Sequence, residues 1–186
     1  VGGGFGSKIN VYNEDIVCSW ASKKINRAIK WVAERSESFL TDIHGRDHVT
    51  HAELAVTNDG KFLGFKNETI ANLGAYARVF GTVTPTYLFG PCATGVYEIP
   101  AAYSNVKAVF TNTAPVDAYR GAGRPEATYT IERLVEKASM ELGIDKTELR
   151  MKNFPTAFPF KQTLVHTVDS GDYVAGMEKA KQMADY

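Results

Sequence analysis

Cysteine is scarce in this chain: 186 residues contain only Cys18 and Cys92. With no second pair there is no four-cysteine zinc pattern and no iron-sulphur ligand set, and a disulfide framework is excluded as the source of stability. Both cysteines are expected as small buried apolar groups, since no nearby signal marks an activated thiolate, and a reducing, cytoplasmic compartment fits them. Excess charge of either sign is missing too. Twenty-one basic residues balance twenty-one acidic ones, so no net field draws the chain to nucleic acid or an anionic membrane. No apolar run approaches the roughly 20 residues of a transmembrane segment, and no basic head followed by an apolar core marks a signal peptide. There is no initiator methionine either: the sequence opens at Val1 inside a glycine run and stops at Tyr186 within a helical pattern. The expectation is an internal slice of a longer polypeptide, residues 1–186 forming a single partial domain without repeats, low-complexity tracts or linkers.

What is present is globular in character, with 44% hydrophobic and 23% charged residues, enough to bury about 70% of the unfolded surface. Asn13 is placed to cap a helix through Ile25, because Ile16, Val17, Trp20, Ala21, Lys24 and Ile25 recur near helical spacing. Ile29 to Ala33 is a short apolar run, read as a buried strand, although periodicity alone also allows helix. His51–Thr57 and Lys61–Ala71 have strand character around Asn58-Asp59-Gly60, a hairpin signal. A further strand is expected through Val106, Ala108 and Phe110. Pro125 then opens a helix whose apolar positions Ile131, Leu134, Val135, Ala138 and Leu142 end at Gly143. Asp145 with Glu148 starts a shorter helix ending near Asn153, ahead of Pro155 and Pro159. Ser170 is the expected cap of a last helix carrying Tyr173, Met177, Ala180 and Ala184. Strands and helices mix without strict alternation, so the fold class is α+β.

Two glycine-containing loops stand out chemically. Glycine lets backbone amides approach a ligand closely and adopt positive φ. In VGGGFGSK, residues 1–8, Ser7 precedes Lys8, which is not the order of a phosphate-binding P-loop, and the dinucleotide fingerprint is incomplete; a ligand loop and a plain tight turn both remain open. AYRGAGRPE, residues 118–126, follows a strand and enters a proline-started helix. Arg120 and Arg124 offer forked donors beside the unpaired amides of a helix amino terminus, an anion site in outline; the alternative is a solvated turn with surface arginines. His44, His48 and His51 lie close in sequence but across a loop and a strand, with no cysteine to complete a ligand set, and are read as surface or structural histidines.

Taken together, GGGFGSK, WVAERSESF, NDGKFLGFKNETIANLGAYA, YEIPAAYSNVKAVFTNTAPVDAYRGAGRPEA and the SGDY near residue 170 resemble the large, molybdenum-cofactor subunit of the xanthine dehydrogenase and aldehyde oxidase family. The pattern is similar to the carbon monoxide dehydrogenase branch, in the second form whose loop reads AYRGAGR, as at Ala118–Arg124 here. The resemblance implies a molybdopterin-binding region and a molybdenum held by molybdopterin cytosine dinucleotide. It also implies iron-sulphur clusters and FAD on a small and a medium partner subunit, assembly as a dimer of heterotrimers, and oxidative hydroxylation of a small molecule with water as oxygen source. Gly3, Gly4, Phe5 and Gly6 match the family's loop over the cofactor, the phenylalanine close to the metal. Arg120, Gly121, Ala122, Gly123 and Arg124 match its active-site loop, and Phe5, Arg120 and Gly121 are the residues expected nearest the chemistry. The family's glutamate base corresponds to a position beyond Tyr186. Two departures bear on substrate: Ile9 stands where the purine-oxidising branch has a glutamate, and Gly121 stands where copper-containing carbon monoxide oxidisers have a cysteine. Copper is therefore not expected, since Cu(I) needs soft sulphur. An aldehyde or heterocycle hydroxylase is the alternative within the family, and a nucleotide-binding or interaction module the alternative outside it.

Overall fold

The computed structural model describes residues 3–186; Val1 and Gly2, the start of the first glycine run, lie outside the described residues. After a 3-10 turn at Ser7–Ile9, α1 spans Asn13–Ile25 as expected, but Tyr12 is its N-cap and Asn13 its first helical residue. The Asp15 carboxylate accepts the Tyr12 N–H at 3.0 Å, so the acid at N3 satisfies the end that Asn13 was expected to cap. The helix's apolar positions do not enter the core: Ile16, Val17, Trp20 and Ile25 are all more than half exposed. Residues 29–33 are irregular, not a strand. Trp31 and Val32 are exposed there, and without a neighbouring strand an apolar run has no ladder to join. A short α2, Arg35–Thr41, follows in the stretch read only as a family motif. Its signal was local, the Glu37 carboxylate accepting the Glu34 N–H at 2.7 Å.

Strands β1 (His48–Val56) and β2 (Phe62–Gly74) form the expected antiparallel hairpin. Its turn requires glycine: Gly60 has φ +89°, and a Cβ there would sit 2.9 Å from both Ile144 and Leu149 side chains. β3 (Ala101–Phe110) joins the other edge of β2 in parallel, giving the order β1-β2-β3. It begins five residues before the alternation at Val106, because Ala101–Asn105 is held by pairing to Gly64–Glu68 rather than by its own strand propensity, which Ala and Asn keep low. The parallel crossover, residues 75–100, contains no α-helix; it turns through a π-helical turn at Thr84–Leu88 and a 3-10 turn at Gly90–Cys92.

Helix α3 (Arg124–Leu142) ends where expected, with Gly143 left-handed at φ 66°. It packs Ile131 and Val135 against Phe62, Phe65, Tyr97, Ile99, Leu149 and Phe154, the main core. Each such buried side chain contributes about 1.5–3 kcal/mol. Helix α4, Lys146–Lys152, is capped by the Asp145 carboxylate, which accepts N–H bonds from Thr147 and Glu148. Fully buried Asn153 ties α4 to the hairpin, accepting from Phe62 N–H and donating to the Gly60 carbonyl, both at 2.8 Å. Strands β4 (Phe160–Lys161) and β5 (Thr167–Val168) make a small separate ribbon. Helix α5 (Tyr173–Met183) is capped by Asp172, accepting from Ala175 N–H at 2.9 Å, instead of by Ser170. The fold is α+β. Among the described residues no helix is long and apolar enough to cross a membrane. Both cysteines are half-buried rather than buried; Cys92 Sγ lies 3.5 Å from His166 Nε2.

Candidate functional site

Although more than a hundred residues separate them in sequence, the two glycine loops touch. The Arg120 N–H donates to the Phe5 carbonyl at 3.0 Å, and the Arg120 guanidinium lies over the Phe5 ring at 5.2 Å. Gly6 explains how they approach so closely. It has φ +103°, and a Cβ on it would fall 1.9 Å from the Ala118 carbonyl oxygen. The glycine is required for one loop to lie on the other, a reason different from the ligand approach that motivates it in the sequence.

Asp117 locks the junction. It is 2% exposed; its Oδ1 accepts from Phe80 N–H at 2.9 Å and from Ala118 N–H at 2.7 Å, and its Oδ2 accepts from Asn10 Nδ2 at 3.1 Å. One carboxylate thus joins Asn10, just after the first loop, the start of the second loop and the crossover. Sequence reasoning missed this residue. Its only signal was an acid between an apolar strand and a glycine loop, a pattern shared by many surface turns.

The expected site residues divide by placement. Gly3, Gly4, Phe5, Arg120, Gly121 and Arg124 are exposed, Gly6 and Ala122 are half-buried, and Gly123 is buried. Gly123 faces protein, since a Cβ there would meet the Thr84 carbonyl oxygen at 2.4 Å. Phe5 (φ 52°) and Ala122 (φ 40°) are non-glycine residues in the left-handed region, a conformation that costs energy and clusters at functional sites. Gly121, at φ +91°, has no room for a side chain: a Cβ would stand 2.6 Å from the Pro125 ring.

The donor set suits an anionic, oxygen-rich ligand. Two exposed guanidiniums flank the loop that enters α3, at the positive end of the helix dipole; the unpaired amides expected there are largely satisfied locally, Arg124 N–H donating to the Gly121 carbonyl at 3.2 Å and Ala127 N–H to the Gly123 carbonyl at 3.0 Å, while Pro125 has no N–H. Across from it Gly4 is open, the nearest atom to a Cβ there being 3.8 Å away. Arg120, Arg124 and the Gly3–Phe5 backbone are the exposed groups on this face able to meet such a ligand. The histidines form no such centre: among the described residues no group of three or more His, Cys, Asp or Glu could hold a metal. His51 pairs with Glu53 at 3.2 Å. His48 is packed edge-on against Phe89 at 5.6 Å, and its pKa is lowered by burial, against the opposing pull of Glu126 and Asp47.

Residues 1–154 match the molybdopterin cofactor-binding domain family. Over its full length the chain is 40% identical to the carbon monoxide dehydrogenase large chain of Hydrogenophaga pseudoflava and 38% identical to the 6-hydroxypseudooxynicotine dehydrogenase complex subunit gamma of Paenarthrobacter nicotinovorans, spanning 24% of the length of each. Quinoline 2-oxidoreductase from Pseudomonas putida 86 superposes on the whole chain with a TM-score of 0.92 at 31% identity, again over 24% of that protein. The converging loops, the basic donors and these likenesses agree: the chain belongs to the molybdopterin cofactor-binding domain family.

Proposed function

We propose that this chain is part of the catalytic large subunit of a molybdenum hydroxylase, an oxidoreductase of the carbon monoxide dehydrogenase and aldehyde oxidase type, carrying molybdopterin cytosine dinucleotide. The observation that supports this reading is the hydrogen-bonded contact between Phe5 and Arg120, which brings the two family loops onto one face. When bound, the cofactor supplies a two-electron redox centre and Lewis acidity for water-derived hydroxylation.

The chain's own residues hold and shape. Arg120 and Arg124 present fixed positive charge to the anionic cofactor. The Gly3–Phe5 backbone covers it, with Phe5 oriented by its carbonyl bond and by the guanidinium over its ring. Asp117 keeps both loops in register through its three accepted hydrogen bonds. Iron-sulphur and flavin partner subunits in a cytoplasmic dimer of heterotrimers complete the proposal, since electrons must leave the site.

The substrate follows from Gly121. Copper retention needs a thiolate, and here a Cβ would overlap the Pro125 ring, so this backbone conformation has no place for cysteine. Among relatives at 30–40% identity, names include an oxidoreductase of quinoline and a dehydrogenase of 6-hydroxypseudooxynicotine as well as carbon monoxide dehydrogenases. We therefore place an aldehyde or nitrogen heterocycle ahead of carbon monoxide as substrate. Metal and pterin analysis of the intact complex, paired with turnover of carbon monoxide, aldehydes and heterocycles, tests this. Molybdenum without copper and slow carbon monoxide oxidation are expected. One copper per molybdenum with rapid carbon monoxide turnover would overturn the substrate assignment, and a protein with neither molybdenum nor pterin would point to a binding module.

A further inference from the structure

The segment before β1 runs alongside the active-site loop as a splint. His44 and Val116 form a parallel bridge, in which the His44 N–H donates to the Pro115 carbonyl at 2.9 Å and the Asp117 N–H to the His44 carbonyl at 2.8 Å. Next, Gly45 makes room for Tyr119, since a Cβ at Gly45 would lie 2.5 Å from the Tyr119 Cβ. Arg46 then reaches across: its Nη2 donates to the Arg120 carbonyl oxygen, and its guanidinium stacks 4.7 Å from the centre of the Tyr119 ring. The Arg46 backbone is left-handed, at φ 56°, a conformation that persists only where its surroundings hold it.

Something must hold Arg46 in turn, and that is Glu126, in the first turn of α3. Its carboxylate is 3.6 Å from Arg46 Nε. The Glu126 side chain is only 10% exposed, and among the described residues neither oxygen has a hydrogen-bond partner. Among the described residues Arg46 is the cation that pairs with Glu126, and a partly buried ion pair is screened less than a fully exposed one. The acid fixes the guanidinium, which fixes the carbonyl of Arg120; the N–H of the same residue binds Phe5. Lysine could keep the charge but not the planar fork that serves stack, pair and carbonyl at once.

We propose that Arg46, oriented by Glu126, is a positioning residue for the active-site loop: it sets the Arg120 peptide, and through it the guanidinium and Phe5 that face the bound cofactor. The connection to catalysis rests on the proposed molybdenum site; the connection to loop order does not. Arg46→Gln, Arg46→Lys and Glu126→Gln in the full-length protein separate the two. Amide hydrogen exchange reads loop order directly, at Arg120 N–H, bonded to Phe5, and Ala122 N–H, bonded to the Tyr119 carbonyl at 2.9 Å.

For Arg46→Gln, exchange should rise at least about tenfold across residues 118–123, while the core amides of β2 and α3 are unchanged. Arg46→Lys should recover part of this. Per molybdenum, kcat should fall roughly tenfold or more with a smaller change in KM, and the Mo(V) electron paramagnetic resonance signal should broaden or shift as the groups beside the metal move. A Lys181→Gln control in α5, where Lys181 pairs with exposed Glu178 at 3.4 Å, should change none of these. Unchanged exchange at residues 118–123 in Arg46→Gln would overturn the splint. Faster exchange with unaltered kcat and spectrum would overturn its positioning role. If the wild-type protein carries no molybdenum, the functional reading fails while exchange still decides the splint.

Discussion

Replacing Gly6 by alanine sets two costs against each other. The added Cβ would lie 1.9 Å from the Ala118 carbonyl oxygen, about 1.4 Å short of an ordinary carbon–oxygen contact. Keeping the loops together would compound that overlap with a φ of +103°, a conformation that costs an L-residue about 1–3 kcal/mol on its own. Parting them forfeits the Arg120–Phe5 hydrogen bond, about 1 kcal/mol net, and the guanidinium–ring contact, about 0.5–1 kcal/mol at an exposed site. The second route costs less, so the variant should open locally instead of unfolding. Denaturant unfolding should show a loss of about 1–2 kcal/mol, while the full-length protein purifies with little molybdenum or pterin. Wild-type molybdenum content in a variant whose loops remain in contact would refute the reasoning.

Asn153→Ala should destabilise by about 3 kcal/mol, because it strands the Phe62 N–H and the Gly60 carbonyl in the core; a loss of unfolding free energy below about 1 kcal/mol in denaturant titration would contradict that. Ile131→Ala, at 1% exposure in the centre of the α3 face, should cost about 2–5 kcal/mol by the same measurement. His48 has its pKa lowered by burial, partly opposed by Glu126 and Asp47. The unfolded chain then takes up a proton before the folded one does, so stability is fully present above the unfolded value near ~6.5 and falls as pH drops below it toward the folded pKa. His48→Gln should flatten the dependence of stability on pH between about 7.5 and 5.5, and an unchanged profile would count against it. Gly121→Cys alone should bring neither copper nor rapid carbon monoxide oxidation, since its Cβ meets the Pro125 ring; copper uptake by the single variant, measured by metal analysis, would show that the loop yields more readily than its geometry implies.

Elements whose reasons are local were legible in the sequence. The stripe at Ile131 and Val135 with Gly143 beyond it specified α3, and Asn58-Asp59-Gly60 specified the hairpin, because periodicity, capping and positive φ are written in neighbouring residues. Residues 29–33 were not legible, since an apolar run becomes a strand only with a partner, and the first half of β3 failed for the mirror reason: β2 makes it a strand despite its low strand propensity. At the site, the loops could be named from their glycines and arginines together with the family resemblance. What joins them could not. The Asp117 hub, the overlap that Gly6 avoids and the Arg46–Glu126 brace are contacts across long sequence separations, and no spacing encodes them.

One face, made by Phe5 on one loop and Arg120–Arg124 on the other, is proposed to hold a molybdenum cofactor. Anomalous scattering at the molybdenum edge, measured on crystals of the intact protein, addresses it most directly. A single strong peak per large subunit is expected beside Phe5 and the Arg120–Gly121 peptide, with no anomalous signal at the copper edge next to it. A protein free of molybdenum, or a peak remote from both loops, would contradict it.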